Sequence, residues 1–232
     1  MDLTLKDAAK LFKVPEHTIQ QWIEDSGLPA YRIKNQFRIN RENAFEWATV
    51  KGIKVSPQFI SSSLKSQGMS LPSLMEAITA GGIYYGIKGA TKPTVLKSAV
   101  DVLQLPDSVD RTFLLQMLMA REAIGSTGIG GGIALPHPRN PIVLSVDKPI
   151  VSLLFLEKPV DFNAIDGKPV GLFFLLISPT VRIHLHLLSR IAYAVHDETF
   201  KDALNSKAPP EAILAALHNV EVSIVPAASA SS

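Results

Sequence analysis

The chain has 232 residues, enough for one or two domains at about 150 residues each. Apolar residues make up 47% and charged residues 19%, as in a folded globular protein, and the absence of cysteine excludes disulfides, thiolate metal sites and cysteine nucleophiles. The net charge is +2; residues 1–54 carry 9 basic and 7 acidic groups, an excess too small to imply nucleic-acid binding without a motif.

Reading along the chain, Thr4 is placed to cap a short helix with Leu5, Ala8, Ala9 and Phe12 on its apolar face, and Val14-Pro15 breaks it. A second helix is predicted from Glu16 to Asp25, with Ile19, Trp22 and Ile23 at helical spacing, ended by Ser26-Gly27-Leu28-Pro29. Tyr31-Arg32-Ile33 and Gln36-Phe37-Arg38-Ile39 then alternate about a turn at Lys34-Asn35, as a hairpin does, and Asn40 caps a third helix, Arg41–Val50. A polar, serine-containing stretch follows and reads as a linker over 55–70.

Beyond it, helix and strand alternate: a helix over 71–80, a strand over 83–87, a helix capped by Thr91 with Pro93 in its first turn, and a helix over 108–120. Strands are expected at 131–135, 150–156 and 170–177, the last two as unbroken apolar runs of the kind covered on both faces. Helices at 180–195, 198–205 and 209–218 complete a domain over 71–221, and 222–232 is expected to be a disordered tail. The apolar runs fall far short of the ~18 residues of a membrane span, and the first residues lack the layout of a secretory signal, so a cytoplasmic location is expected.

Two short helices, a tight break, a β-wing and a third helix are the arrangement that presents a helix to a DNA major groove. Leu5-x-x-Ala8-Ala9-x-x-Phe12-x-Val14-x-x-x-Thr18-Ile19-x-x-Trp22, with Gly27-Leu28-Pro29-Ala30-Tyr31-Arg32 and Phe37-Arg38-Ile39, resembles the excisionase-like, MerR-related winged helix-turn-helix family over residues 3–50. Gln20 and Gln21 suit adenine edges, and Arg32, Lys34 and Arg38 suit phosphates. Glu16 and Glu24 on the same helix oppose the backbone charge, so a docking or dimerisation module stands beside DNA binding as a reading.

The most informative stretch contains five glycines in the eight positions 125–132 and ends in Pro136-His137-Pro138. Glycines at this density let backbone N–H groups converge on an anion, with Ser126 and Thr127 as hydroxyl donors. Without a following Lys-Ser/Thr pair or a Gly-x-Gly-x-x-Gly between strand and helix, nucleotide binding is disfavoured. His137, held extended between two prolines after a short strand, is expected to project as an exposed nucleophile, since a neutral imidazole takes a phosphoryl group without a base. Arg121 and Arg139 are the local guanidinium candidates for the phosphate.

Arg121-Glu122-x-x-Gly125-Ser126-Thr127-Gly128-Ile129-Gly130-x-Gly132-Ile133-Ala134-Leu135-Pro136-His137 resembles the signature of enzyme IIA domains of the bacterial phosphoenolpyruvate-dependent sugar phosphotransferase system, fructose/mannitol and nitrogen-regulatory class, over about residues 71–218. The resemblance implies an α/β fold: a three-layer domain with a mixed sheet between helices, here preceded by the small winged helix-turn-helix domain. It also implies that His137 accepts phosphate on Nε2 from the phosphocarrier HPr, a protein-histidine phosphotransfer expected to need neither metal nor cofactor. His184, in His184-Leu185-His186-Leu187-Leu188, resembles the second active-site histidine; His186 reads as structural or exposed.

The resulting assignment gives His137 as nucleophile, Arg121 as charge stabiliser and His184 as hydrogen-bond donor to phosphate. Ser126, Thr127, Gly128, Gly130, Gly131 and Gly132 form the expected anion cradle, with Arg139 beside it. Asp166, in Ile165-Asp166-Gly167, reads as a turn former. A regulatory phosphocarrier acting on a protein partner or on duplex DNA is the expected function. A transcription regulator with the IIA domain as sensor and a phosphocarrier for a separate transporter are the alternatives.

Overall fold

A computed structural model describes residues 2–34, 36–51, 53, 71–139 and 146–224. The N-terminal module contains helices α1 (Leu5–Phe12) and α2 (Glu16–Asp25), strands β1 (Tyr31–Ile33) and β2 (Gln36–Arg38), and helix α3 (Arg41–Val50). Thr4 caps α1 in a reciprocal box with Asp7, Lys13 turns the chain in a left-handed conformation, and Asn40 Oδ1 accepts from Asn43 N at 3.1 Å at the start of α3. Leu3 pairs with Ile39 through two backbone hydrogen bonds of 2.8 and 3.0 Å, tying the chain start to the wing. Phe12, Trp22 and Trp47 meet in the module's core, where Trp47 Nε1 donates to the Ser26 carbonyl at 3.0 Å.

The larger domain contains α4 (Leu74–Gly81), β3 (Ile83–Ile87), α5 (Lys92–Val102), α6 (Arg111–Ile124), β4 (Gly128–Gly130), β5 (Ile133–Ala134), β6 (Ile150–Val160), β7 (Val170–Ile177), α7 (Val181–Ala194), α8 (Glu198–Asn205) and α9 (Pro210–Ile224). Its five-stranded sheet runs β3-β6-β7-β5-β4, with β3 parallel to β6, β6 antiparallel to β7, β7 parallel to β5, and β5 antiparallel to β4. Alternate residues of the two long central strands feed opposite cores. Leu153, Phe155, Phe174 and Leu176 pack beneath α4, α7, α8 and α9, while Leu154, Leu156, Phe173 and Leu175 pack beneath α5 and α6. This two-sided burial is why β6 and β7 read as continuous apolar runs. At Gly81 the fit of α4 on the sheet excludes a side chain, since a Cβ there would lie 2.3 Å from the Val151 carbonyl oxygen.

Element boundaries differ from the sequence reading in a few places. The expected strand over 131–135 is a small hairpin, β4 and β5, whose turn at Gly131-Gly132 uses positive φ at both glycines. The predicted linker over 55–70 lies outside the described residues, as does Asn35 of the wing turn. The predicted tail start at 222 is corrected: α9 continues to Ile224, because Val220 is buried in the core and Glu221 is held at the N-terminus of α4. Residues 225–232 lie outside the described residues.

The module packs on the larger domain through α3, which lies against α7 and β4. Leu185 of α7 joins the module's core, and Val181 packs against it.

The Glu221 carboxylate accepts from Leu74 N at 2.8 Å and Met75 N at 3.1 Å and lies 3.9 Å from the half-buried Arg190 guanidinium. It therefore satisfies two backbone donors at a positive helix end and balances a shielded cation. Glu221→Ala is expected to lower the unfolding free energy by about 3 kcal/mol, measured by urea denaturation followed by far-UV circular dichroism.

Candidate functional site

The hairpin β4-β5 delivers the chain to His137. Leu135 N donates to the Thr127 carbonyl at 3.0 Å, and the Pro136 carbonyl accepts from Leu176 N at 3.0 Å, so the residues on either side of the imidazole are fixed to β4 and β7. Because β5 and β7 are parallel, His137 and Ser178 both lie beyond strand carboxyl ends on the same side of the sheet, next to the start of α7. Thr180 caps α7 by accepting from Ile183 N at 3.2 Å, and the first turn of that helix carries His184.

His137 Nδ1 is 2.7 Å from the Leu135 carbonyl oxygen, and its Nε2 is 3.3 Å from Arg121 Nε. A carbonyl only accepts and a guanidinium only donates, so the two partners assign the neutral tautomer with the proton on Nδ1 and the lone pair on Nε2. Arg121 is oriented by a second bond, from Nη1 to the Gly125 carbonyl at 2.8 Å, at the end of its own helix α6. The His184 ring lies 5.0 Å from that of His137, centroid to centroid, and its Nδ1 is 3.2 Å from Ser178 Oγ. Three of the expected site residues thus come together in one cluster.

The cluster differs from expectation in its exposure. His137 is 3% exposed, His184 2% and Arg121 7%, so the ring does not project freely from the strand. Its Nδ1 bond turns it back along the strand, and α3 lies over β4 and α7, the elements that flank it.

The anion cradle is also corrected. Gly128 and Gly130 belong to β4, and Gly128 N donates to Ser126 Oγ at 3.0 Å. The Gly131 N–H is taken by Asp166 Oδ2 at 2.9 Å, and the Gly132 carbonyl accepts from Gly171 N and Leu172 N. The Ser126 hydroxyl donates to the Phe162 carbonyl, and Thr127 gives both its N–H and its hydroxyl to Glu122 Oε2. The N–H groups of Thr127, Gly128 and Gly131 and both hydroxyls are thus spent on building the hairpin, which makes the glycine-rich segment a scaffold leading to His137. Arg139 is exposed, unlike the three residues of the cluster.

Asp166 behaves as the turn former expected of it: its carboxylate accepts from Gly131 N and Lys168 N, and these bonds hold its pKa below the usual carboxylate value. The sequence reading missed two supports of the cluster, the Leu135 carbonyl and Ser178. Ser178 carries a usable signal, being a polar residue that closes an apolar strand just before a helix. A backbone carbonyl carries none.

The family profile described as "Phosphoenolpyruvate-dependent sugar phosphotransferase system, EIIA 2" matches residues 76–220. The chain belongs to this family. A second profile, "Helix-turn-helix domain", matches residues 3–49 ahead of the IIA domain. The "Nitrogen regulatory protein" of Pseudomonas aeruginosa is 37% identical over 144 residues, covering 60% of this chain and 91% of that protein. The protein of the same name in Escherichia coli is 39% identical over 105 residues, covering 44% of this chain and 60% of that one. The crystal structure of the nitrogen regulatory protein IIA-Ntr from Neisseria meningitidis superposes with a TM-score of 0.55 at 29% identity, covering 62% of this chain and 98% of that one. The IIA domain and its mixed sheet between helices therefore stand as the sequence suggested. Among the described residues no helix is long and apolar enough to cross a membrane.

His186, two residues beyond His184 on α7, is buried on the opposite side and structural: its Nε2 lies 3.0 Å from the Pro72 carbonyl. Burial, with Arg190 and Arg182 adding positive charge, lowers its pKa to about 4, against the Pro72 bond that raises it. Unfolded, the same imidazole titrates near ~6.5. Above that value both states are neutral; below it the unfolded chain binds a proton that the native IIA domain refuses. Stability is expected to fall with decreasing pH from about 6.5 to about 4, by up to about 3 kcal/mol, and then level off as native His186 protonates. Urea denaturation across that range checks this, with His186→Gln flattening the dependence.

Proposed function

We propose that this chain is a nitrogen-regulatory-type IIA phosphocarrier that accepts a phosphoryl group on His137 Nε2 from an HPr-type phosphocarrier and exerts control through its N-terminal module. The observation that carries the reading is the pair of bonds on the His137 ring, Nδ1 to the Leu135 carbonyl and Nε2 facing Arg121. The Nε2 lone pair attacks phosphorus, the donor's phosphorus–nitrogen bond breaks, and its electron pair returns to the donor imidazole. The Nδ1 proton stays on Nδ1 throughout, donated to the Leu135 carbonyl, so no general base is needed. Arg121 balances the phosphoryl oxygens, and His184, steadied by Ser178, faces the same ring and offers a hydrogen bond to the transferred group.

Incubation with HPr, enzyme I and labelled phosphoenolpyruvate is expected to label the wild type at His137 and leave His137→Ala unlabelled. Arg121→Gln is expected to slow transfer about 100-fold, with part of the rate restored in Arg121→Lys. Equal labelling of wild type and His137→Ala rejects the site.

The module supports duplex DNA as a second reading. Gln20, Gln21, Arg32 and Lys34 are exposed, on α2 and the wing. Arg32 lies over the Phe37 ring, and Arg38 bonds Phe37 O and Gln36 Oε1, so both cations are held in place on the wing. Glu16 and Glu24 are equally exposed on α2 and favour a protein partner. Salt-dependent duplex binding that is lost in Arg32→Ala/Arg38→Ala is the outcome expected of a DNA-acting module; its absence at low salt assigns the module to a protein partner.

A further inference from the structure

The site described above has one feature that the phosphocarrier reading does not absorb: its nucleophile is 97% covered in a protein whose phosphoryl donor is another macromolecule. The elements that flank the ring are also those on which the N-terminal module sits. Helix α3 of the N-terminal module lies against α7, which carries His184, and against β4, which leads through its hairpin to His137. Leu185, the residue after His184, is 5% exposed and belongs to the module's apolar core, and Val181 at the start of α7 packs on the same core. The seam thus passes within one residue of the active-site pair. Among the described residues the larger domain's apolar contribution to that core comes from Leu185 and Val181 of α7, and contacts between domains of one chain are the ones that commonly move.

We infer that the N-terminal module is a gate on the phosphorylation site, docked through α3 so that His137 accepts a phosphoryl group only when the module lifts from α7 and β4. This inference rests on the phosphocarrier reading and extends it to regulation. In-line transfer requires the donor phosphorus to reach Nε2 along its lone pair, with the donor's imidazole behind it, and a sealed ring leaves no room for that approach. Once phosphorylated, Nε2 carries a dianionic group where the docked form holds a packed interior, so the modified protein favours the lifted module. The coupling is reciprocal: whatever binds the lifted module raises phosphorylation, and phosphorylation frees the module for its partner. Exposed Gln20 and Gln21 on α2 lie on the module's open side in the docked form, so occlusion acts on His137 and not on the candidate DNA-facing helix.

The test uses the full chain and two independent readouts. Leu185→Glu places a carboxylate in the seam, and Val181→Asp does so at the first position of α7, where an acid suits the helix end. Folding of each is verified by circular dichroism, and the module's integrity by the fluorescence of Trp22 and Trp47; either variant suffices if the other does not fold. In the wild type, diethyl pyrocarbonate is expected to modify His137 at least 10-fold more slowly than the exposed His17 and His218, and in the seam variants the His137 rate is expected to rise about 10-fold. Transfer from phospho-HPr is expected to accelerate by a similar factor, and to vanish in Leu185→Glu/His137→Ala. Wild-type His137 reacting as fast as His17, or seam variants that leave both rates unchanged, overturns the gate. Faster diethyl pyrocarbonate modification with no phosphoryl transfer to any variant overturns the phosphocarrier reading and the coupling with it, while confirming that α3 provides the cover.

Discussion

One hydrogen bond decides the chemistry of this site, that between His137 Nδ1 and the carbonyl of Leu135. An imidazole in water samples both tautomers; tied to a carbonyl two residues back, this one keeps its proton on Nδ1 and offers Nε2 to whatever faces it. The carbonyl is reliable because its residue is pinned, with Leu135 N bound to Thr127 and the next carbonyl bound to Leu176. The glycine hairpin, the Glu122 clamp on Thr127 and the Asp166 bond to Gly131 serve that same placement. Lys92, 3.2 Å from Glu122, offsets the clamp's charge beside the Phe162 ring. Positioning, more than a cradle of donors, is what this segment supplies.

Much of this was legible in the sequence, for identifiable reasons. Thr4, Thr91 and the Gly-Leu-Pro at 27–29 are local signals that act over a few residues, and the helices they bound fall where the pattern puts them. The unbroken apolar runs of β6 and β7 announced a sheet covered on both faces. His137 and Arg121 were legible from the segment's own chemistry, whereas His184 followed from resemblance, because 47 residues of separation leave no periodic trace.

What the sequence could not show is tertiary in origin. A run of glycines looks the same whether its N–H groups face an anion or the protein, and here Ser126 takes that of Gly128 and Asp166 that of Gly131. The burial of His137 is likewise tertiary, in a cluster with Arg121 and His184, and the elements flanking it meet a helix some 90 positions earlier in the chain. The extension of α9 to Ile224 depends on Glu221 finding the first turn of α4, a partner no local window contains.

The place of β4 at the border of the sheet has a further consequence. A border strand presents unpaired peptide groups that can recruit a strand from another molecule, and α3 lies against this one. Uncovered, it would offer three residues, two of them glycine, with a shifted register toward β5. So short and irregular a template gives a neighbouring chain little to add to, and the sheet can lose its lateral cover without becoming a seed for aggregation.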